Sequence, residues 1–204
     1  MKTIDECIIH KINELAKNNV SVHFVSCSET SISYFKKMND YDGLYLNKEI
    51  IVDIDTPLWK LVFLHEYIHY KQCINNTKKW VVYCSYKETI DSVTKRNRPC
   101  YIDNVFKSTL LMEHECETKV LQLLEKEQQG NVKEKQDYIY KANLYFFYEW
   151  YRWKNDLSIK LKISDIYSTM KTILYHLPLV KNPLKLPKKE YDRFETQIKK
   201  ELKK

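Results

Sequence analysis

The stretch Thr56-Pro57-Leu58-Trp59-Lys60-Leu61-Val62-Phe63-Leu64-His65-Glu66-Tyr67-Ile68-His69-Tyr70-Lys71-Gln72 decides how the chain is read. Thr56 is a helix-capping residue, and Pro57 suits the first helical position, where a missing N–H costs nothing. Leu58, Leu61, Val62, Leu64, Ile68 and Ile74 then recur at helical spacing, so a helix is expected over residues 57–75. His65 and His69 stand four apart on it and therefore share one face.

The flanks supply the rest of a mainly helical fold. Upstream, Thr3 and Glu6 form a capping-box pair ahead of Ile8, Ile9, Ile12, Leu15 and Ala16, one apolar helix face. Val20 to Val25 reads as a strand. Asp42-Gly43 is a turn signal. Leu44–Leu46 and Glu49–Ile54, on either side of Asn47-Lys48, read as a short hairpin or two adjacent strands. Downstream, residues 76–99 read as irregular, with a strand at Trp80 to Cys84. Helices are expected over 101–129, 133–154 and from Ser164-Asp165 to about His176. Pro178, Pro183 and Pro187 mark an extended connector before a final polar helix. With 2 glycines and 5 prolines in 204 residues, the chain cannot make many tight hairpins, which argues against sandwiches and barrels. The expected class is α+β: a mainly helical single domain over 1–177 with a small sheet beside the 57–75 helix, then a basic, proline-containing extension over 178–204.

Apolar residues make up 44 % of the chain, enough for one sizeable core. The net charge is +7, and from Lys181 onward nine Lys or Arg stand against four Asp or Glu. A solvated terminal helix accounts for that tail. Without an arginine-rich or aromatic-interleaved basic stripe, it argues against nucleic acid as a partner. The aromatic run from Tyr138 to Trp153 is read as helix packing rather than a base-stacking surface. The 6 cysteines include no C-x-x-C pair. Asp5 and Glu6 fall where a signal peptide would be apolar, and no segment has the run of ~18 apolar residues needed to span a membrane. A reducing cytoplasm with free thiols is the expected compartment.

The chemistry converges on His65-Glu66-Tyr67-Ile68-His69. Both imidazoles can address one zinc ion, and Glu66 lies where a carboxylate takes a proton from a metal-activated water and passes it to a leaving amine. Two histidines need one more protein ligand to hold zinc with a position left for water. The next long helix carries Glu113-His114-Glu115-Cys116-Glu117 between the apolar pairs Leu110-Leu111 and Val120-Leu121. Glu113 is the favoured ligand. Glu117, His114 and Glu115 are the alternatives, and Cys116 would be a softer one. Glu113 and Glu117 share a helix face, so both can point at one site.

These two clusters together resemble the gluzincin peptidases, in which H-E-x-x-H is followed on a later helix by E-x-x-x-D or a near variant. The resemblance implies that Glu113 binds zinc, that Cys116 fills the small-residue position, and that Glu117 is the acid that orients a zinc-binding histidine. Here Glu117 stands where Asp is usual, and Lys71 where a hydrophobic residue is common. Residues 41–153 are also similar to a group of uncharacterised phage-encoded metallopeptidases, through His65 to Gln72, Trp80, Glu113 to Glu117 and Tyr140 to Tyr145. In gluzincin-like folds an edge strand near the zinc pairs with extended substrate, and Glu49 to Ile54 is the stretch this resemblance points to.

The expected activity is zinc-dependent hydrolysis of a peptide or protein substrate, with Glu66 as general base and His65, His69 and Glu113 as ligands. In a host cell, a phage-encoded chain would act in the cytoplasm. The competing expectation is a non-catalytic, zinc-stabilised interaction protein that binds an acidic partner. Substrate and oligomeric state are not legible.

Overall fold

The computed structural model describes residues 4–26, 43–46, 48–75, 77–89, 101–126, 132–155 and 163–203. The elements are α1 (Ile4–Lys17), β1 (Ser21–Val25), β2 (Gly43–Leu46), β3 (Glu49–Asp53), α2 (Trp59–Asn75), α3 (Thr77–Thr89), α4 (Ile102–Lys126), α5 (Val132–Lys154), α6 (Ile163–Leu174) and α7 (Lys188–Glu201). The class is the expected one, α+β and mainly helical with a small sheet. The cap at Thr3, the turn residue Asp42, Asn47 and the stop at Gly130 lie outside the described residues. No described helix is long and apolar enough to cross a membrane.

Two compact units can be distinguished, Met1–Asn76 with Thr118–Glu134, and Thr77–Glu117 with Lys135–Lys204. In the first unit, α1 ends in a left-handed residue, Asn19, at φ 56°. The Val20 N–H reaches back to the Leu15 carbonyl at 3.0 Å and the Asn19 N–H to that of Ala16 at 3.1 Å, which satisfies the last carbonyls of the helix. Leu15 and Val20, at the two ends of that closure, are both buried. The chain thus leaves the helix directly into β1. The sheet has the order β1-β3-β2. β1 runs parallel to β3 with Ser21 opposite Glu49, and β2 runs antiparallel with Leu46 opposite Glu49. Lys48, at φ 66°, sits in the tight β2–β3 turn, where positive φ matches the twist of the strands.

β3 is therefore the middle strand of the described sheet, and Ile50, Ile51 and Val52 are buried on it. That corrects the expectation that Glu49 to Ile54 is an edge open to substrate, because β1 and β2 already take its backbone groups on both sides. Helix α2 packs on β2 and β3, and α1 packs on β1 and α2. α2 begins at Trp59, two residues after the expected start; the Thr56 carbonyl accepts the Trp59 N–H at 3.1 Å, leaving Pro57 in the preceding turn. The α1–α2 contact is tied by Glu14, which accepts from the Tyr67 hydroxyl at 2.6 Å and from Lys71 Nζ at 2.9 Å. Lys71 therefore has a structural use that a hydrophobic residue there could not serve.

The second unit is built around α5. Tyr140, Leu144, Phe146 and Phe147 are fully buried there, with Phe106 and Leu110 from α4 and Ile166 and Met170 from α6 in the same cluster. Trp153 lies flat on Phe106, with ring centroids 4.1 Å apart. The aromatic run packs, as its helical spacing suggested. Segment 76–99 departs from expectation: Thr77–Thr89 is helical, and Trp80 stacks on Tyr83 one turn later at 5.0 Å. Trp80, Val81, Val82, Tyr83 and Cys84 favour strands locally, but burial of Tyr83 overrides that preference. Residues 90–99 lie outside the described residues.

The connector after α6 is secured by side chains. Its prolines carry no N–H, and its carbonyls need donors. Asn143 bridges it, donating Nδ2–H to the Pro178 carbonyl at 2.9 Å and accepting the Val180 N–H at 3.0 Å. His114 Nε2 donates to the Val180 carbonyl at 2.6 Å, Trp150 Nε1 donates to that of Pro183, and Gln136 Nε2 to that of Tyr175. Val180, Tyr191, Phe194 and Ile198 then enter the same buried cluster as α5. The basic extension expected over 178–204 thus carries core side chains.

Two measurements follow. Phe194→Ala should lower the unfolding free energy by about 3–5 kcal/mol in urea titration, the cost of a large core truncation. For Glu14, the Tyr67 hydroxyl and Lys71 hold its carboxyl below the ordinary value of 4.5. Its contribution is therefore complete above that value and is lost as pH falls through the lowered one. Between pH 5 and 3 the wild type should lose more urea stability than Glu14→Gln does. The difference should be at most about 1 kcal/mol, because solvent screens the pair.

Candidate metal centre

Helix α2 is buried on most of its surface, with Leu61 to Leu64, Glu66 to Tyr70 and Gln72 all covered. A helix so enclosed places its polar side chains where water cannot satisfy them. Five of them fall in two stripes. Tyr67 and Lys71 turn to Glu14. His65, His69 and Gln72, at spacings of four and three, make the other.

Within the second stripe the His65 and His69 rings lie edge to face, with centroids 4.6 Å apart. His69 is 3 % exposed and His65 is half-buried. Nδ1 of His69 is 3.0 Å from Oε1 of Gln72. An amide oxygen only accepts, so with the amide in this orientation the ring would donate from Nδ1 and keep its lone pair on Nε2. Glu66, next in sequence to His65, is 7 % exposed.

On α4 the acidic cluster divides by face. Glu115 is exposed, whereas Glu113, Cys116 and Glu117 are buried. Glu113 Oε1 accepts from the Tyr83 hydroxyl at 2.8 Å. His114 is occupied with the connector through Nε2 and lies against the Phe146 ring. It was an alternative zinc ligand by sequence, and here it holds the connector. Cys7, Cys73, Cys84 and Cys116 are free thiols.

His65, His69 and Cys116 each offer a ligand atom, and these atoms all lie within 4.8 Å of one another. Two imidazole nitrogens and a sulfur at that spacing could hold a metal ion. Among the described residues this is the set that converges. The two histidines chosen from sequence are in it, and Glu113, the ligand favoured there, is replaced in it by the cysteine three residues on. Glu117 is buried one turn beyond Glu113.

The sequence reading undervalued three residues. Cys116 was visible only as a small-residue position and a softer alternative, although its spacing from Glu113 puts it on the same face. Gln72 was visible only as part of a pattern, although three residues past a ligand histidine is hydrogen-bonding distance on a helix. Tyr83 carried no signal, because its segment did not read as helix.

No protein-family model, curated protein or solved structure matches this chain.

Proposed function

We propose that the chain is a zinc-dependent peptidase whose centre is His65, His69 and Cys116, with Glu66 as general base. The observation that carries this reading is the convergence of those three ligand atoms on the helix face next to a buried glutamate. The donor set fits zinc, which takes imidazole nitrogen and thiolate sulfur together in tetrahedral sites. Three protein ligands leave a fourth position free, the arrangement of a catalytic rather than a structural site. Bound there, the ion would supply a Lewis acid and make a water acidic enough to attack at neutral pH. Glu66 is next to a ligand on the helix, and its role is to take that water's proton and deliver it to the departing amine nitrogen. Free thiols on four described cysteines suit a reducing compartment, in which a cysteine ligand persists.

A second reading has support from Glu113. It is buried on the same face of α4 as Cys116, one helical turn away. Were both to coordinate, the site would be closed by four protein ligands and the zinc structural. The chain would then be a zinc-stabilised interaction protein.

Two tests separate the readings. Purified protein should carry about one zinc per chain by elemental analysis, and Glu66→Gln should keep both fold and zinc. Against a peptide library, that substitution should cut hydrolysis by about 10²–10⁴-fold, the usual share of a general base; equal activity in both proteins would remove the catalytic reading. The cobalt(II)-substituted protein should show sulfur-to-cobalt charge-transfer absorption that vanishes in Cys116→Ser and survives in Glu113→Gln. Small anions should perturb its spectrum if a coordination position is open. Absent sulfur absorption, with metal lost in Glu113→Gln, would return the third ligand to Glu113.

A further inference from the structure

We infer that Gln72 is a positioning residue: it holds His69 in the Nδ1–H tautomer, so that Nε2 is the nitrogen presented to a metal. This deepens the zinc reading, and rests on it for the effect on affinity. A neutral imidazole carries one proton on either of two nitrogens, and only the other one can ligate. Free in water the ring samples both forms. Buried, it takes the form its neighbours enforce.

Here the neighbour is on the same helix, three residues on, with Oε1 at 3.0 Å from Nδ1. Both side chains are buried, His69 at 3 % and Gln72 at 6 % exposure, so water competes little for either group. The amide in this orientation can only accept from the ring. Turned over, it would donate to Nδ1, move the ring proton to Nε2 and disable that nitrogen as a ligand. The orientation therefore decides whether the centre can form. An oxygen at Nδ1–H also makes Nε2 more basic and fixes the ring plane, the usual effect of a group placed behind a ligand histidine. Because the contact is three residues apart within α2, it forms with the helix itself and needs no other element. It is also separate from the Tyr67–Lys71 stripe, which is taken up by Glu14.

The test uses the full chain with two variants. Gln72→Glu keeps size and an acceptor, and Gln72→Leu keeps approximate size and removes it. In the metal-free protein, long-range ¹⁵N–¹H correlation of the His69 ring should report Nδ1–H for the wild type and for Gln72→Glu. It should shift toward Nε2–H in Gln72→Leu. Competition titration with zinc should show Gln72→Leu binding about 10–100-fold more weakly, with Gln72→Glu restoring affinity. A ring protonated on Nε2 in the wild type would overturn the inference. So would a Leu variant unchanged in tautomer and affinity, or a Glu variant as weak as the Leu variant. Should Gln72→Leu fail to fold, the wild-type and Gln72→Glu tautomers still decide. A wild type that binds no zinc yet shows the Nδ1–H form would sink the metal reading and leave this assignment standing.

Discussion

Ten of the seventeen residues of α2 are buried, and three of the ten are Glu66, His69 and Gln72. Each such group costs about 1–3 kcal/mol if left without a partner, a sizeable part of what a small domain has to spare. Apolar side chains at those positions would make a more stable helix. The sheet beside it shows the alternative, for β3 buries Ile50, Ile51 and Val52 across its two faces with nothing polar among them. Apart from Glu66, α2 meets the constraint with two polar stripes that have separate partners. One, through Tyr67 and Lys71, fastens the helix to α1. The other satisfies itself in part, imidazole to amide.

The second unit meets a related problem at the connector after α6. Proline makes that segment extended but removes donors, so its carbonyls are served from α4 and α5 by His114, Asn143 and Trp150. This accounts for an asparagine fully buried in the middle of an aromatic helix. It also accounts for a histidine that the sequence placed among possible metal ligands. The connector is held along its length, and α7 is thereby delivered to the core with Phe194 and Ile198 inward.

Most of the fold was legible because helical periodicity is a strong signal over long stretches. α4, α5 and α6 lie within a few residues of their expected bounds, helices stand where α1 and α7 were expected, and the strand pair around Asn47-Lys48 was readable from its turn. α3 was missed because Trp80 to Cys84 are strand formers whose helical state depends on where Tyr83 is buried, a tertiary fact. The rank of β3 in the sheet was not legible for the same reason: strand order depends on the parallel pairing of β1 with β3 across the intervening chain. At the site, i,i+4 geometry made His65 and His69 visible. Choosing among Glu113, Cys116 and Glu117 required knowing which atoms of α4 converge on them, and no local spacing encodes that.

The division of the chain has a consequence for how the protein is made. Neither unit is a continuous stretch: the first is completed only by Thr118–Glu134, after residues 77–117 have been laid down for the second. At about 5–20 residues per second, a ribosome takes roughly two to eight seconds over that interval. Throughout it, the sheet and α2 are finished in sequence, while Val120, Leu121 and Leu124, buried side chains of that same unit, have yet to be added. A nascent chain of this design exposes interior surface for far longer than a hairpin or helix takes to form. Its yield in a cell should therefore depend on translation speed across residues 77–117 as much as on the stability of the finished protein.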